Sequence, residues 1–315
     1  MSFPSIAHNR HLREWSVAAA YVLLLLVLAF LAPAFFKPDY LRGQLVSKST
    51  VLIAAVGMTL VIVARQIDIS VGSQFSVCGV IAGLLAQAGL PMPLVAVGTV
   101  LAGSLMGACN GLLVAVLGLP SIVVTLATMA IFRETLRWWR EGEFVFGLPA
   151  DFQWFGLGQQ TGQWTIVAVS LLVFGVMTWS LRNLAGGRSI YAVGSDQEAA
   201  RLAGLKPQAV VFSIFVGMGA IIGLASLLNA VQFGAVDPNS GVGLELQVIA
   251  AAVVGGTAIS GGRGTLIGTL IGVALLGTIG PALVFLGFEP QWEKAVQGLI
   301  ILTAVASDAV GGRKR

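Results

Sequence analysis

One nine-residue segment sets an acid among hydroxyls in an otherwise apolar part of the chain: RQIDISVGS, residues 65–73. Asp68, Ser70 and Ser73 could hold a polar solute or open a helix. A carboxylate at the centre of a bilayer costs about 2.5 to 3.5 kcal/mol on insertion scales, so it is normally paired, wet or near a helix end. Arg65, three residues earlier, supplies a candidate local counter-charge. Two readings stand: a broken helix beside a water-filled path, or an acidic cap on the following span. Asn110, Asn229, Gln87 and Gln247 lie inside apolar segments and are uncharged. They suit either a path for polar, uncharged solutes or hydrogen bonds between helices. The candidate path set is therefore Asp68, Ser70, Ser73, Asn110, Asn229 and Gln247.

A second constellation is the polar island LRNLAGGRSIYAVGSDQEAARLAGLKP, residues 181–207, between two apolar runs each long enough to cross a bilayer. Ser195 and Glu198 have the spacing of a capping box. Asp196 adds negative charge at that helix start and Arg201 adds positive charge toward its end, while Gly204, Lys206 and Pro207 form a stop. The pattern predicts one capped helix of about eight residues, preceded by Gly186, Gly187 and Gly194. So short a helix is unstable alone in water, so the island reads either as a surface that packs against something else or as an ordinary ordered loop carrying a surface helix.

Absences narrow the chemistry further. No lysine follows a glycine, so there is no Walker A loop to cradle ATP phosphates. The two histidines, His8 and His11, lie near the N-terminus, which leaves no histidine-based zinc site or catalytic triad in the apolar segments. Cys78 and Cys109 lack metal or disulfide spacing and read as packing residues. No metal, cofactor or catalytic residue is expected, and no soluble domain is present to carry one.

The elements that must position these groups follow from composition. With 57% hydrophobic and 10% charged residues and a mean hydropathy of +0.90, the chain has too little polar surface for a soluble globule of 315 residues. It reads as an all-α polytopic membrane protein. Ten spans are expected, at roughly 15–36, 45–64, 71–89, 94–118, 121–137, 164–181, 208–231, 244–259, 265–286 and 292–308. With an even number both termini share a side. Placing that side in the cytoplasm puts eleven of the eighteen basic residues there and nine of the fourteen acidic ones opposite. Lys37, Arg42 and Lys48, placed after the first span, run against that rule. The net charge of +4 reflects topology, and no nucleic-acid footprint is visible. The N-terminal apolar run is long for a signal sequence and lacks a small-residue cleavage site, so it reads as an uncleaved span.

Gly103, Gly107 and Gly111 repeat at four-residue spacing, as do Gly264, Gly268 and Gly272; small residues so placed let membrane helices approach closely. Upstream of each stripe lies a Gly/Ser-rich break, at 65–73 and 255–264. Paired breaks of this kind are how internally repeated transporters build their pathways, and chance repetition in a chain with forty glycines is the alternative. The loop 140–164 combines Glu141, Glu143 and Asp151 with Phe144, Phe146, Phe152, Trp154 and Trp164. It suits either a docked partner or a membrane interface. Glu245 is expected near the outer end of the eighth span, in reach of water.

In order, RQIDISVGS, Asn110-Gly111, PSIVVTLATMAIFR from Pro120, GRSIYAVGSDQEAARLAG and GGTAISGGRGTLIGTLIG resemble the permeases of monosaccharide-type ATP-binding cassette (ABC) importers, over roughly residues 45–308. The chain looks most like those for autoinducer-2 and rhamnose. Many members read Gly-Gly-Ile-Asp-Leu-Ser where this chain has Arg65, Gln66 and Ile69. The resemblance implies a single transmembrane permease domain, 1–315, in a bacterial inner membrane. It implies cytoplasmic tails at 1–14 and 309–315, a periplasmic loop at 138–163 and a cytoplasmic coupling loop at 182–207. It also implies that Gly187, Arg188, Tyr191, Gly194, Ser195, Asp196, Glu198, Ala199, Ala200, Arg201 and Gly204 seat the chain on an ABC ATPase subunit. The further partners implied are a second permease, identical or related, a periplasmic solute-binding protein and membrane lipid. Solute would cross by alternating access driven by that ATPase. The competing reading is an ion-coupled secondary transporter, for which Asp68 is the titratable candidate; a purely structural membrane subunit is a third.

Overall fold

The computed structural model describes residues 8–312, with side-chain surroundings for 14–300, 302 and 303. The outer parts of both expected tails, 1–7 and 313–315, lie outside the described residues, and the tail segments nearest the bundle are helical. Twelve α-helices make up the described chain: α1 (His8–Leu31), α2 (Pro38–Val63), α3 (Val71–Gln87), α4 (Met92–Gly111), α5 (Ser121–Arg140), α6 (Gln159–Asn183), α7 (Ala185–Ser195), α8 (Gln197–Leu202), α9 (Pro207–Ala230), α10 (Leu244–Val254), α11 (Leu266–Phe285) and α12 (Trp292–Gly312). Helices dominate because a backbone in lipid must satisfy its polar groups within the segment.

Each of the ten expected spans contains one helix, and α7 and α8 form the island. Among the described residues, α1, α2, α4 with its π-helical extension Leu112–Val116, α6, α9 and α11 are long and apolar enough to cross a membrane. α3 and α10 are shorter, at 17 and 11 residues. α5 carries Arg133, Glu134, Arg137 and Arg140 on its second half. The first span is shorter than the sequence pattern indicates: α1 stops at Leu31, a single 3-10 turn covers Pro33–Phe36, and Pro38 opens α2. Lys37 lies in the short connection between α1 and α2. Arg42 and Lys48 belong to α2, where Arg42 pairs with Asp39 at 2.8 Å.

α2 and α9 are buried along most of their length and form the centre, while α1, α4 and α6 turn largely apolar faces outward. The most extensive pairing is α4 with α9. There the first glycine stripe works as expected: a Cβ on Gly103 would stand 2.1 Å from the Gly219 carbonyl oxygen, and one on Gly107 would stand 2.2 Å from that of Phe215. The second stripe sets α11 on α10, since a Cβ on Gly272 would meet the Ala251 carbonyl at 2.1 Å. α2 is joined to α11 by the Thr59 and Thr269 hydroxyls, 2.7 Å apart. Of the two cysteines, Cys78 is buried in packing, but Cys109 lies on the outward face of α4 and is exposed, contrary to the packing role expected for it.

Candidate functional site

Both helix breaks exist, and the first ends in a buried polar cluster. α2 stops at Val63, and Arg65 takes a left-handed backbone with φ of 63°. A positive φ is a conformation that favours glycine, and here an arginine adopts it. The chain then runs without helix to Ser70, where α3 starts. Asp68 is fully buried at that start. Its Oδ1 accepts from the Ser70 amide at 2.9 Å and from the Ser70 hydroxyl at 2.6 Å, and its Oδ2 accepts from Gln74 Nε2 at 3.2 Å. Asn110 of α4 donates to Ser70 Oγ at 2.8 Å, and Ser73 donates to the Ser70 carbonyl at 2.8 Å. From α5, Thr125 Oγ1 donates to the Ile67 carbonyl at 3.3 Å. The cluster thus ties the break to α4 and α5 while holding a carboxylate at a helix N-terminus, where backbone N–H groups favour negative charge.

Among the described residues Asp68 has no ion pair with Arg65, which corrects the local pairing expected from their spacing. The left-handed turn leaves Arg65 exposed, whereas Asp68 faces inward to Ser70 and Gln74. Asp68, Ser70, Ser73 and Asn110 are all buried between helices. Gln247 is half-buried on α10.

The second half-helix meets the first head to head. The segment 231–243 leaves α9 and returns to start α10 beside the start of α3. A Cβ on Gly241 would stand 1.9 Å from the Gly72 carbonyl, and the Gly241 amide donates to Ser76 Oγ at 3.1 Å. Glu245, in the first turn of α10, is not solvated as the sequence pattern indicates. It is buried with its Oε1 3.5 Å from Arg133 of α5, and Gly72 leaves the room its carboxylate occupies. Arg133 escapes sequence reasoning because nothing local marks it apart from Arg137, which pairs with Glu134 on the same helix.

Beside this crossing lies a cavity of about 480 Å³, lined by Gly79, Phe144, Ser226, Asn229, Ala230, Phe233, Ala235, Val236, Asp237 and Ser240. Its size falls within the range of small-molecule pockets, about 300 to 1,000 Å³. Two aromatic rings supply apolar faces, and Asn229, Asp237 and Ser240 supply hydrogen-bonding groups. Asp237 Oδ1 accepts from the Asn239 amide at 2.8 Å, which shapes the return loop. Of the expected path residues, Asn229 lines this cavity. Phe233, Asp237 and Ser240 are missed by sequence reasoning, although the polar run DPNSG at 237–241 between two spans is the signal that could have found them.

The connection between α5 and α6 is shorter than the expected loop, covering 141–158, and it straps the cavity end. Val145 and Val236 exchange backbone hydrogen bonds at 3.0 and 3.1 Å, Trp154 N–H donates to the Val231 carbonyl at 2.8 Å, and Gln87 donates to the Phe146 carbonyl. Phe152 is buried, while Phe144 and Phe146 stack with centroids 5.8 Å apart and remain largely exposed.

The island lies at the opposite end and differs from the single capped helix expected. It holds two helices, α7 and α8. Asp196 is the cap: its Oδ1 accepts from the amides of Glu198 and Ala199, both at 2.9 Å. Ser195 ends α7 and takes no part, so the capping box is corrected to an aspartate cap. The reason is geometric, since Asp196 has the extended backbone (φ −154°, ψ 109°) that a cap requires. Glu198 instead grips Arg201 through two hydrogen bonds of 3.0 and 2.6 Å, an exposed pair that holds the Arg201 guanidinium above its ordinary pKa. Gly204 closes α8 with φ of 85°, as the sequence pattern predicts. Arg188 is exposed, Gly187 packs on Leu181, and Ala200 is buried against the neighbouring helices, while Leu202 is 78% exposed.

Comparison with known proteins agrees with this arrangement. Residues 40–305 match the family described as branched-chain amino acid transport system / permease component. The autoinducer 2 import system permease protein LsrC of Escherichia coli (strain K12 / DH10B) is 36% identical over 291 residues, covering 91% of this chain and 85% of the relative. The protein of the same name from Shigella flexneri is likewise 36% identical over 291 residues. That from Salmonella paratyphi B is 34% identical over 298 residues, 92% of this chain and 85% of the relative. No solved structure matches. A family match across most of the chain, relatives above 30% identity and two broken helices between a cavity and a capped polar island lead to one conclusion: the chain belongs to this permease family, in its monosaccharide-type ABC importer branch.

Proposed function

We propose that the chain carries a small, uncharged, hydroxyl-rich solute across a bacterial inner membrane, with autoinducer-2 the first candidate and rhamnose the second. The names of the relatives support the first candidate, and the cavity's mixture of Phe144 and Phe233 with Asn229, Asp237 and Ser240 suits either. Aromatic faces cover C–H surfaces, and the amide, carboxylate and hydroxyl groups exchange hydrogen bonds with ligand hydroxyls. Energy comes from a separate ABC ATPase that binds the α7–α8 island on the cytoplasmic side, where both termini also lie. A periplasmic binding protein delivers solute to the cavity end, and a second permease, identical or related, completes the membrane domain. ATP-driven closure of the ATPase pair moves the island, and the pathway alternates between its two openings.

The single observation that carries this reading is the pair α7–α8, capped, exposed and apolar at Leu202, on the end of the bundle opposite the cavity. Purification of the chain in mild detergent should recover an ATPase subunit. Glu198→Lys and Arg201→Glu, each breaking the exposed pair at the island, should abolish autoinducer-2 uptake while leaving membrane insertion intact. Normal uptake in both variants defeats the coupling role. Uptake that survives ATP depletion and follows the proton or sodium gradient instead selects the ion-coupled carrier.

A further inference from the structure

The island does not merely lie under the two helix breaks; it is interlocked with both through the backbone. Gly194 sits in the last turn of α7, where a Cβ would stand 1.7 Å from the carbonyl oxygen of Val63, the last residue of α2. That same carbonyl accepts the Gly262 amide at 2.8 Å, so the segment after α10 satisfies a group that the end of α2 leaves open. Gly261 has φ of 82°, and a Cβ there would meet the Gly194 carbonyl at 2.6 Å. Tyr191 donates its hydroxyl to the Gly264 carbonyl at 2.8 Å, one turn earlier on α7.

Three chain segments thus meet here, backbone against backbone at the Gly194–Val63 and Gly261–Gly194 contacts. Side chains can change rotamer and absorb a displacement; backbone in van der Waals contact cannot yield without breaking the contact. We propose that this glycine joint makes the island, the break before α3 and the break before α11 one rigid body. A push on α8 then moves together the Asp68 cluster at the start of α3 and Thr265, whose hydroxyl accepts the Gly268 amide at 3.0 Å at the start of α11. Gly194 and Tyr191 act as positioning residues of transport, and this inference rests on the coupling role proposed above. It accounts for Gly261, Gly262 and Gly264, none of which lines the cavity.

The test uses the assembled importer in lipid nanodiscs, with exposed Cys109 replaced by serine. Spin-label pairs at Leu202→Cys with Ile259→Cys, and at Leu202→Cys with Phe146→Cys, report distances in the nucleotide-free and ATP–vanadate-trapped states. The joint predicts an unchanged 202–259 distance and a shifted 202–146 distance. A changed 202–259 distance overturns the joint. If neither distance changes while the ATPase subunit is bound, the coupling role itself fails, and the joint with it. Gly194→Ala should broaden the 202–259 distribution with the ATPase still bound, whereas Gly186→Ala, a position in open space on the same helix, should not. Identical behaviour of the two alanine variants also overturns the proposal. Tyr191→Phe, which keeps the ring and removes only the hydroxyl, should broaden the same distribution and keeps the test decisive if Gly194→Ala fails to insert.

Discussion

Two glycines on α9, two residues apart, should respond oppositely to alanine. Gly217 has nothing within 4 Å of the position a Cβ would take, whereas a Cβ on Gly219 would stand 2.0 Å from the Gly103 carbonyl oxygen of α4. Ordinary contact begins near 3.4 Å, so α4 and α9 would have to part by about 1.4 Å to admit the methyl group. That separation also loosens the approaches of Gly107 to Phe215 and of Gly223 to Thr99, because one pair of helices carries all of them. Alanine is intrinsically better than glycine in a helix by about 1 kcal/mol, so Gly217→Ala should be neutral or mildly stabilising. Overpacking a close-packed contact costs about 1 to 3 kcal/mol, and Gly219→Ala should lose that amount. Both variants gain the same helix propensity, so the expected difference between them is the overpacking cost, about 1 to 3 kcal/mol in favour of Gly217→Ala. Thermal unfolding of both in the same detergent, followed by loss of monodisperse protein, reads the order directly. Equal midpoints would refute the claim that α4 and α9 are held by backbone contact.

Two further outcomes follow from named groups. Asp196→Ala removes the acceptor for two amides at the start of α8 and should cost about 1 kcal/mol locally; hydrogen exchange at Glu198 and Ala199 should accelerate, while α9 amides stay protected. Arg133→Leu strands Glu245 in a buried position and should destabilise the protein by about 3 kcal/mol, with Arg133→Leu/Glu245→Leu recovering part of the loss; a double variant no better than the single one would show that the two charges do not depend on each other.

The amino-acid sequence by itself determined the number and order of the apolar helices, because the length of an apolar run is set by bilayer thickness and needs no partner. It also determined that the island is helical and stops at Gly204, since caps and stops act within one turn of their own backbone. The breaks at 65–73 and 255–264 and the two glycine stripes were legible for the same local reason. What the sequence could not decide was which of several nearby groups takes each role. Ser195 and Asp196 both suit a cap, and only the backbone angle at Asp196, set by the turn out of α7, selects it. Arg65 and Asp68 have the spacing of a pair, yet a left-handed turn sends them apart. Only the tertiary structure brings Gly241 and Glu245 onto the start of α3, gives Glu245 its partner on α5, and gathers Asn229, Asp237 and Phe144 around one cavity. Those contacts join residues far apart in the chain, and their partners are chosen by helix packing, which leaves no periodic trace along a single sequence.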